Sequence, residues 1–453
     1  MAAGLDTLRG MNLDLLIRGG TVINSELSVD ADLGVRGGRI VAIGDLKGLS
    51  AAETLDASGL HILPGLIDTQ VHFREPGLEH KEDLESGTRA ALYGGVTTVL
   101  EMPNTDPLTT SADALADKLR RAAGRAWVNY GFFVGAAQDN LDQLGHLERL
   151  PGTPGIKIFM GSSTGALLVD RDDDLRQVLR SVQGPCPIHA EDEPRLVERR
   201  RRLGDQPHVS QHPWARDAEA ARLATQRILA ISAETGTPVH ILHVSTAAEL
   251  PLIAEAKRRG LGVTAEVTPQ HLSLNDEAYE TLGTRLQMNP PVRDEATRQA
   301  LWHAVTTGLF DVFGSDHAPH TVAEKERSYP QSPSGMPGVQ TMLPVLLDHV
   351  AAGRLPLGLV VRMLAENPAR LYRMPGKGRI ALGCDADLTL VDLNARFTVS
   401  TAWLQSKCGW SPFEGQTLTG RPVHTFVGGV WSLRDGQHFG PAGGQVVQFL
   451  PRP

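Results

Sequence analysis

The sequence predicts an α/β fold: a TIM (β/α)8 barrel with a small β-sandwich formed jointly by the N- and C-terminal segments. Three observations predict it. The middle of the chain alternates eight short apolar runs with amphipathic stretches. Both ends are strand-like and turn-punctuated, and each alone is short of the strands needed to bury a face. The histidines, lysine and aspartate that could carry chemistry fall at the ends of the apolar runs.

Each element follows in chain order. Residues 13–17, 31–35 and 39–43 read as short strands, with Gly19-Gly20, Gly37-Gly38 and Gly44 marking turns. The eight barrel strands fall at 65–72, 97–103, 128–135, 155–160, 186–189, 239–245, 262–268 and 310–316. Amphipathic helices are predicted at 81–92, 112–123, 217–235 and 247–259. Ser111 and Asp217 suit helix N-caps, and Gly94, Gly236 and Gly260 suit C-caps. Strand texture returns at 378–380, 386–391 and 425–430. The competing architecture, an open doubly wound sheet, lacks its Gly-rich phosphate fingerprint after the first strand. The expected division is 1–62 for the first part of the sandwich, 63–374 for the barrel and 375–453 for the rest of the sandwich. The Gly- and Pro-rich tail, 440–453, is expected to be loosely held. Met11 is a candidate start, because the ten residues before it carry no structural pattern.

Composition bounds the function. The chain has 453 residues, 41% hydrophobic and 21% charged, an ordinary globular balance with ample length for a buried core. A formal net charge of -8 argues against a nucleic-acid binder. Cys186, Cys384 and Cys408 are few, odd in number and widely spaced, so no disulfide framework is implied and a reducing cytoplasm fits best. No signal peptide and no membrane span are predicted.

In a (β/α)8 barrel, catalytic groups sit at the C-terminal ends of the strands. Here the first strand ends at Gln70 and His72, two apart and therefore on one side. The fourth carries Lys157, the fifth ends at His189, the sixth at His243 and the eighth at Asp316. A single histidine at a strand end is more often a hydrogen-bonded structural residue than a ligand. His240, three from His243, reads as structural, and His303, on a helix, as surface. Structure is favoured over function for His80, His208, His212 and His271. The joint pattern is much harder to obtain by chance. Imidazole nitrogen and carboxylate oxygen suit Zn²⁺. A lysine that has added CO₂ becomes an anionic carbamate that can bridge two metals. Such metals polarise a carbonyl and acidify a shared water, whose proton Asp316 would pass to a leaving amine.

Pro64-Gly65-Leu66-Ile67-Asp68, His72-Phe73-Arg74-Glu75-Pro76-Gly77, Met102-Pro103-Asn104-Thr105 and Ser315-Asp316-His317-Ala318-Pro319-His320 resemble the amidohydrolase superfamily. Within it they are most similar to bacterial class I-type dihydroorotases. The resemblance extends over nearly the whole chain, including Gly383-Cys384-Asp385-Ala386-Asp387-Leu388. It implies a carbamate on Lys157 as the bridge, a β metal on His189 and His243, and an α metal on His72 and Asp316. Gln70 stands where a second histidine is usual. It also implies that Arg74, Asn104 and His320 contact a substrate carboxylate, with Asn289 and the 334–338 loop as pocket wall. Arg74 could instead serve a surface ion pair. The family suggests a cytoplasmic homodimer.

Glutamine offers zinc only a neutral amide oxygen. One expectation is an active enzyme with a weakened or partly empty α site. The implied reaction is reversible closure of N-carbamoyl-L-aspartate to dihydroorotate in pyrimidine synthesis. Other cyclic-amide hydrolases, such as hydantoinase or allantoinase, share the metal ligands and differ in the anion pocket. A third reading is an inactive subunit that supports aspartate carbamoyltransferase.

Overall fold

The computed structural model describes residues 12–162 and 167–452, so Met11 and the residues before it lie outside the described part. The middle of the chain is α/β with parallel strands. Leu66–Val71, Val96–Glu101 and Asn129–Phe132 form one parallel group. Val134–Gly135, Ile156–Phe159, Cys186–His189, Val239–Ile241, Val263–Val267 and Val312–Phe313 form a second. A single residue, Phe133, separates the groups along the chain. At the other side Val71 and His317 form a parallel bridge, and the His72 N–H donates to the His317 carbonyl at 2.8 Å. All eight predicted strands are present, the third divided at Phe133. They read clearly because both faces are buried, giving continuous apolar runs.

The helices cover the strands. Ser111 caps Ala112–Ala122 through the Ala114 N–H, and Asp217 caps Ala218–Thr235 through the Ala220 N–H. Gly236 ends the latter in the left-handed region, where glycine has no Cβ penalty. Leu84–Tyr93 begins later than predicted, because the Asp83 and Ser86 side chains close a reciprocal capping box there.

The chain ends join one nine-stranded sheet. His61–Pro64 pairs antiparallel with Leu388–Thr398, with Pro64 opposite Leu388. Leu15, Ile17, Leu33 and Ile62 share a core with Leu388, Leu390, Phe426 and Trp431. Several local expectations are corrected. Gly19-Gly20 is no turn: Leu13–Asn24 is one strand, with a register shift between Ile17 and Gly20. Residues 378–380 are not a strand, although the Ile380 N–H donates to Asn24. Strand Thr417–Val427 stops at Gly428-Gly429, which turn the chain into Val430–Arg434. The tail is tied down. The Tyr130 N–H donates to the Gln445 carbonyl, the Val447 N–H returns to Tyr130, and the Leu450 N–H donates to Arg373. The cysteines are free, and among the described residues no helix is long and apolar enough to cross a membrane.

Candidate active site

Of the ten residues that the sequence singles out, nine line one narrow cavity beyond the C-terminal ends of the strands: Gln70, His72, Arg74, Asn104, Lys157, His189, His243, Asn289 and Asp316. His320 does not line it; it stands behind Arg74, 3.3 Å from that guanidinium. Arg74, His243 and Asp316 all have positive φ, at 67°, 34° and 43°. Such backbone is costly for non-glycine residues and gathers where a site holds side chains in fixed directions.

The ionisable groups form two close pairs. His72 Nε2 lies 3.2 Å from Asp316 Oδ1, and His189 Nδ1 lies 3.1 Å from His243 Nε2. The outer nitrogens explain the inner ones. His72 Nδ1 is 2.6 Å from Asn104 Oδ1, an acceptor, so Nδ1 carries the proton and Nε2 turns a lone pair toward the aspartate. His189 Nε2 donates to Glu191 at 2.8 Å, so its Nδ1 lone pair faces His243. Each pair turns an imidazole lone pair inward, and imidazole nitrogen with carboxylate oxygen is a donor set that suits a cation. The Gln70 amide nitrogen donates to Asp316 Oδ1 at 3.0 Å, and its Oε1 is buried with no hydrogen-bond partner among the described residues. Among the described residues no three His, Cys, Asp or Glu side chains close a metal cage by themselves. Lys157 lines the same cavity.

Lys157 Nζ is buried with no hydrogen-bond partner among the described residues, 4.4 Å from the Phe159 ring centre. Burial pulls the amine down to about 7, where much of it is the neutral form that can add CO₂. Burial, followed by the charge of Glu266, pushes Asp316 up to about 7. Burial holds His72 and His243 well below the usual histidine range. All these groups are thus poised to be neutral unless a cation or ligand arrives.

Arg74 is buried, and burial lowers it to about 10. Its Nε donates to the Pro319 carbonyl at 3.2 Å, and among the described residues no carboxylate lies within ion-pair distance. The facing wall is Ser334 and Gly335. A Cβ on Gly335 would fall 2.5 Å from the Ala318 carbonyl, at a φ of +137° that disfavours other residues.

Two supports escape sequence reasoning. Glu191 orients His189 and is itself held by the Arg216 guanidinium, whose Nε sits 3.1 Å from both carboxylate oxygens. Those charges keep Glu191 far below the usual carboxylate range despite its burial. The His-x-Glu spacing at a strand end was the available signal. His212, expected to be structural, is buried against the pocket wall, where Nε2 lies 2.9 Å from the Met288 carbonyl and 3.0 Å from Asn289 Oδ1. His240 and His303 are away from the cavity, as expected: His240 is buried against Thr264, and His303 is exposed on a helix.

A family model described as "Amidohydrolase family" matches residues 61–432. The chain belongs to the amidohydrolase family. It is 38% identical over 415 residues to a dihydroorotase from Methanothermobacter thermautotrophicus, covering 90% of this chain and 93% of that one. It is 35% identical over 451 residues to an allantoinase from Deinococcus radiodurans, covering 97% and 99%. Among solved structures, L-hydantoinase from Arthrobacter aurescens superposes with a TM-score of 0.93 at 30% identity, covering 96% of this chain and all of that one. The chain is a hydrolase acting on cyclic amides.

Proposed function

We propose that the protein is a dihydroorotase, hydrolysing dihydroorotate reversibly to N-carbamoyl-L-aspartate. The observation that supports this reading is Arg74: a buried guanidinium lining the cavity, with no carboxylate among the described residues within ion-pair distance. A buried unpaired charge is unfavourable until a ligand supplies the opposite one. Dihydroorotate carries a carboxylate that a guanidinium can grip through two parallel hydrogen bonds. Neutral hydantoin has no such group. The allantoinase and hydantoinase relatives favour a neutral ring, and the unmatched cation favours the acid.

The finer readings form part of the same proposal. The two parallel strand groups, contiguous at Phe133 and bridged at Val71 and His317, are read as one closed (β/α)8 barrel over 63–374. The segments 1–62 and 375–453 are read as its β-sandwich. His72, His189, His243, Asp316 and a carbamate on Lys157 would hold one or two zinc ions, with Gln70 the weak position. Bound there, zinc would polarise the ring carbonyl and acidify a water. Arg74, Asn104 and the 334–335 wall orient the ring. Asp316 takes the proton from the attacking water and delivers it to the ring nitrogen as the carbon–nitrogen bond breaks and a new carboxylate forms. A homodimer in the cytoplasm completes the reading.

Ring closure is a specific test. Closing the ring consumes a carboxylate and a proton, so lower pH favours it. The zinc-loaded protein should convert N-carbamoyl-L-aspartate to dihydroorotate, faster at pH 6 than at pH 8 (roughly one proton per ring closed). Failure to close the ring at either pH would oppose the proposal.

A further inference from the structure

Lys81 and Glu82 are adjacent just ahead of helix Leu84–Tyr93, and each reaches one of the two histidines that follow Asp316. Glu82 is fully buried. It accepts from His317 Nε2 at 3.3 Å and from the Lys407 backbone N–H at 3.1 Å, and also from the Ser86 and Ser406 hydroxyls. The other His317 nitrogen, Nδ1, accepts from the Gly338 N–H at 3.1 Å. With Nδ1 accepting, Nε2 must carry the proton, and a carboxylate is the partner that fixes this tautomer. The same residue's carbonyl accepts from the His72 N–H at 2.8 Å. The residue beside Asp316 is therefore held through both ring nitrogens and its backbone, and among the described residues Glu82 supplies its one anionic contact.

Lys81 acts on the other side. Its ammonium pairs with Glu324 at 3.0 Å and donates to His320 Nδ1 at 3.3 Å. That leaves His320 Nε2 to donate to the Ser334 carbonyl at 3.0 Å, the wall facing Arg74. Neither lysine nor glutamate touches the cavity. Their side chains end where Asp316 and the Arg74 wall are anchored.

We propose that the Lys81-Glu82 dipeptide is a two-armed positioning element: Glu82, through His317, aims the Asp316 carboxylate, and Lys81, through His320, sets the wall that receives the substrate anion. The arms serve different steps, so their loss separates in kinetics. Removing a charged hydrogen bond that shapes a binding wall weakens binding about tenfold. Misplacing a reacting group by an ångström slows the chemical step by about 10²-fold.

The kinetic arm of the test rests on the dihydroorotase reading; hydrogen exchange does not. In the zinc-loaded enzyme, K81M should raise KM for dihydroorotate about tenfold with a much smaller change in kcat, and K81R should restore most of it. E82A should lower kcat about 10²-fold with little change in KM, and E82Q, which keeps an acceptor, should recover part of it. Independently of turnover, E82A should speed amide exchange at Gly338 and Val339, whose N–H groups point at His317 Nδ1. K81M should speed exchange at Gly335 instead. Loss of dihydroorotate turnover in the wild type would count against the activity alone, and exchange would then decide the clamp. Equal effects of both variants on kcat and KM, or exchange unchanged in both, would overturn it.

Discussion

Replacing Arg74 by methionine tests how the cavity recognises its ligand. The guanidinium is buried, lies on the cavity wall and donates to the neutral Pro319 carbonyl, with no carboxylate among the described residues within ion-pair distance. Two charge-assisted hydrogen bonds to a substrate carboxylate, at about 1.5 kcal/mol each, amount to about 3 kcal/mol, or roughly 150-fold in kcat/KM. A neutral cyclic amide uses neither bond, so R74M should change its turnover less than about tenfold. Stability should move oppositely. Burial lowers Arg74 from 12.5 to about 10. At neutral pH the charged form therefore costs the apo fold on the order of 3 kcal/mol as an upper bound. R74M should melt no lower than the wild type, and higher if the Pro319 contact is weak. The assay is steady-state kinetics on dihydroorotate and on hydantoin, with calorimetry of the ligand-free protein. Equal losses on both substrates, or a melting point several degrees lower, would refute the reasoning.

Other perturbations address the rest of the site. Lys157→Ala should cost most of the bound zinc, read by metal analysis after dialysis with bicarbonate; full retention would remove the carbamate from the account. Asp316→Asn should fold normally and lose at least about 10³-fold in kcat, because the proton carrier is gone. Gln70→His should raise zinc occupancy, since imidazole replaces an amide oxygen that has no hydrogen-bond partner among the described residues; unchanged occupancy would contradict the weak-ligand reading. Glu249 tests electrostatics outside the site. Burial raises it from 4.5 to about 7 despite the Thr225, Ser245 and Thr246 donors. Its folded form binds the proton more tightly, so its contribution is present below pH 4.5 and lost as pH rises through about 7. E249Q should therefore gain stability relative to wild type by about 3 kcal/mol more at pH 8 than at pH 4. Equal offsets in chemical denaturation at the two pH values would contradict this.

What was legible in the sequence was what local pattern encodes. Buried parallel strands leave apolar runs, and those runs carry six residues that line one cavity, Gln70, His72, Lys157, His189, His243 and Asp316, while Arg74, Asn104 and Asn289 were implied by the family resemblance. The caps at Ser111 and Asp217 were legible because one side chain satisfies one turn. Remote pairing was not. Strands Ala51–Asp56 and His61–Pro64 escaped notice because their partners lie in other segments, parallel to Leu13–Asn24 and antiparallel to Leu388–Thr398. The tail looked loose because its Gly and Pro content says nothing of Tyr130 waiting to bond it. Glu191 and Glu82 were not singled out by the sequence. Only the fold brings Arg216 to one and His317 to the other, making their burial tolerable. His320 was implied by the family resemblance as a substrate contact, and it does not line the cavity but lies 3.3 Å from the Arg74 guanidinium.

The most direct measurement is turnover. The protein purified with zinc and bicarbonate would be assayed on dihydroorotate, hydantoin and allantoin side by side. The account predicts hydrolysis of dihydroorotate with the two neutral ureides far behind, which would also show that Gln70 is tolerated. Preference for a neutral ureide would contradict the role given to Arg74. Bound zinc with no turnover of any of the three would contradict the proposed activity and favour a subunit that supports aspartate carbamoyltransferase.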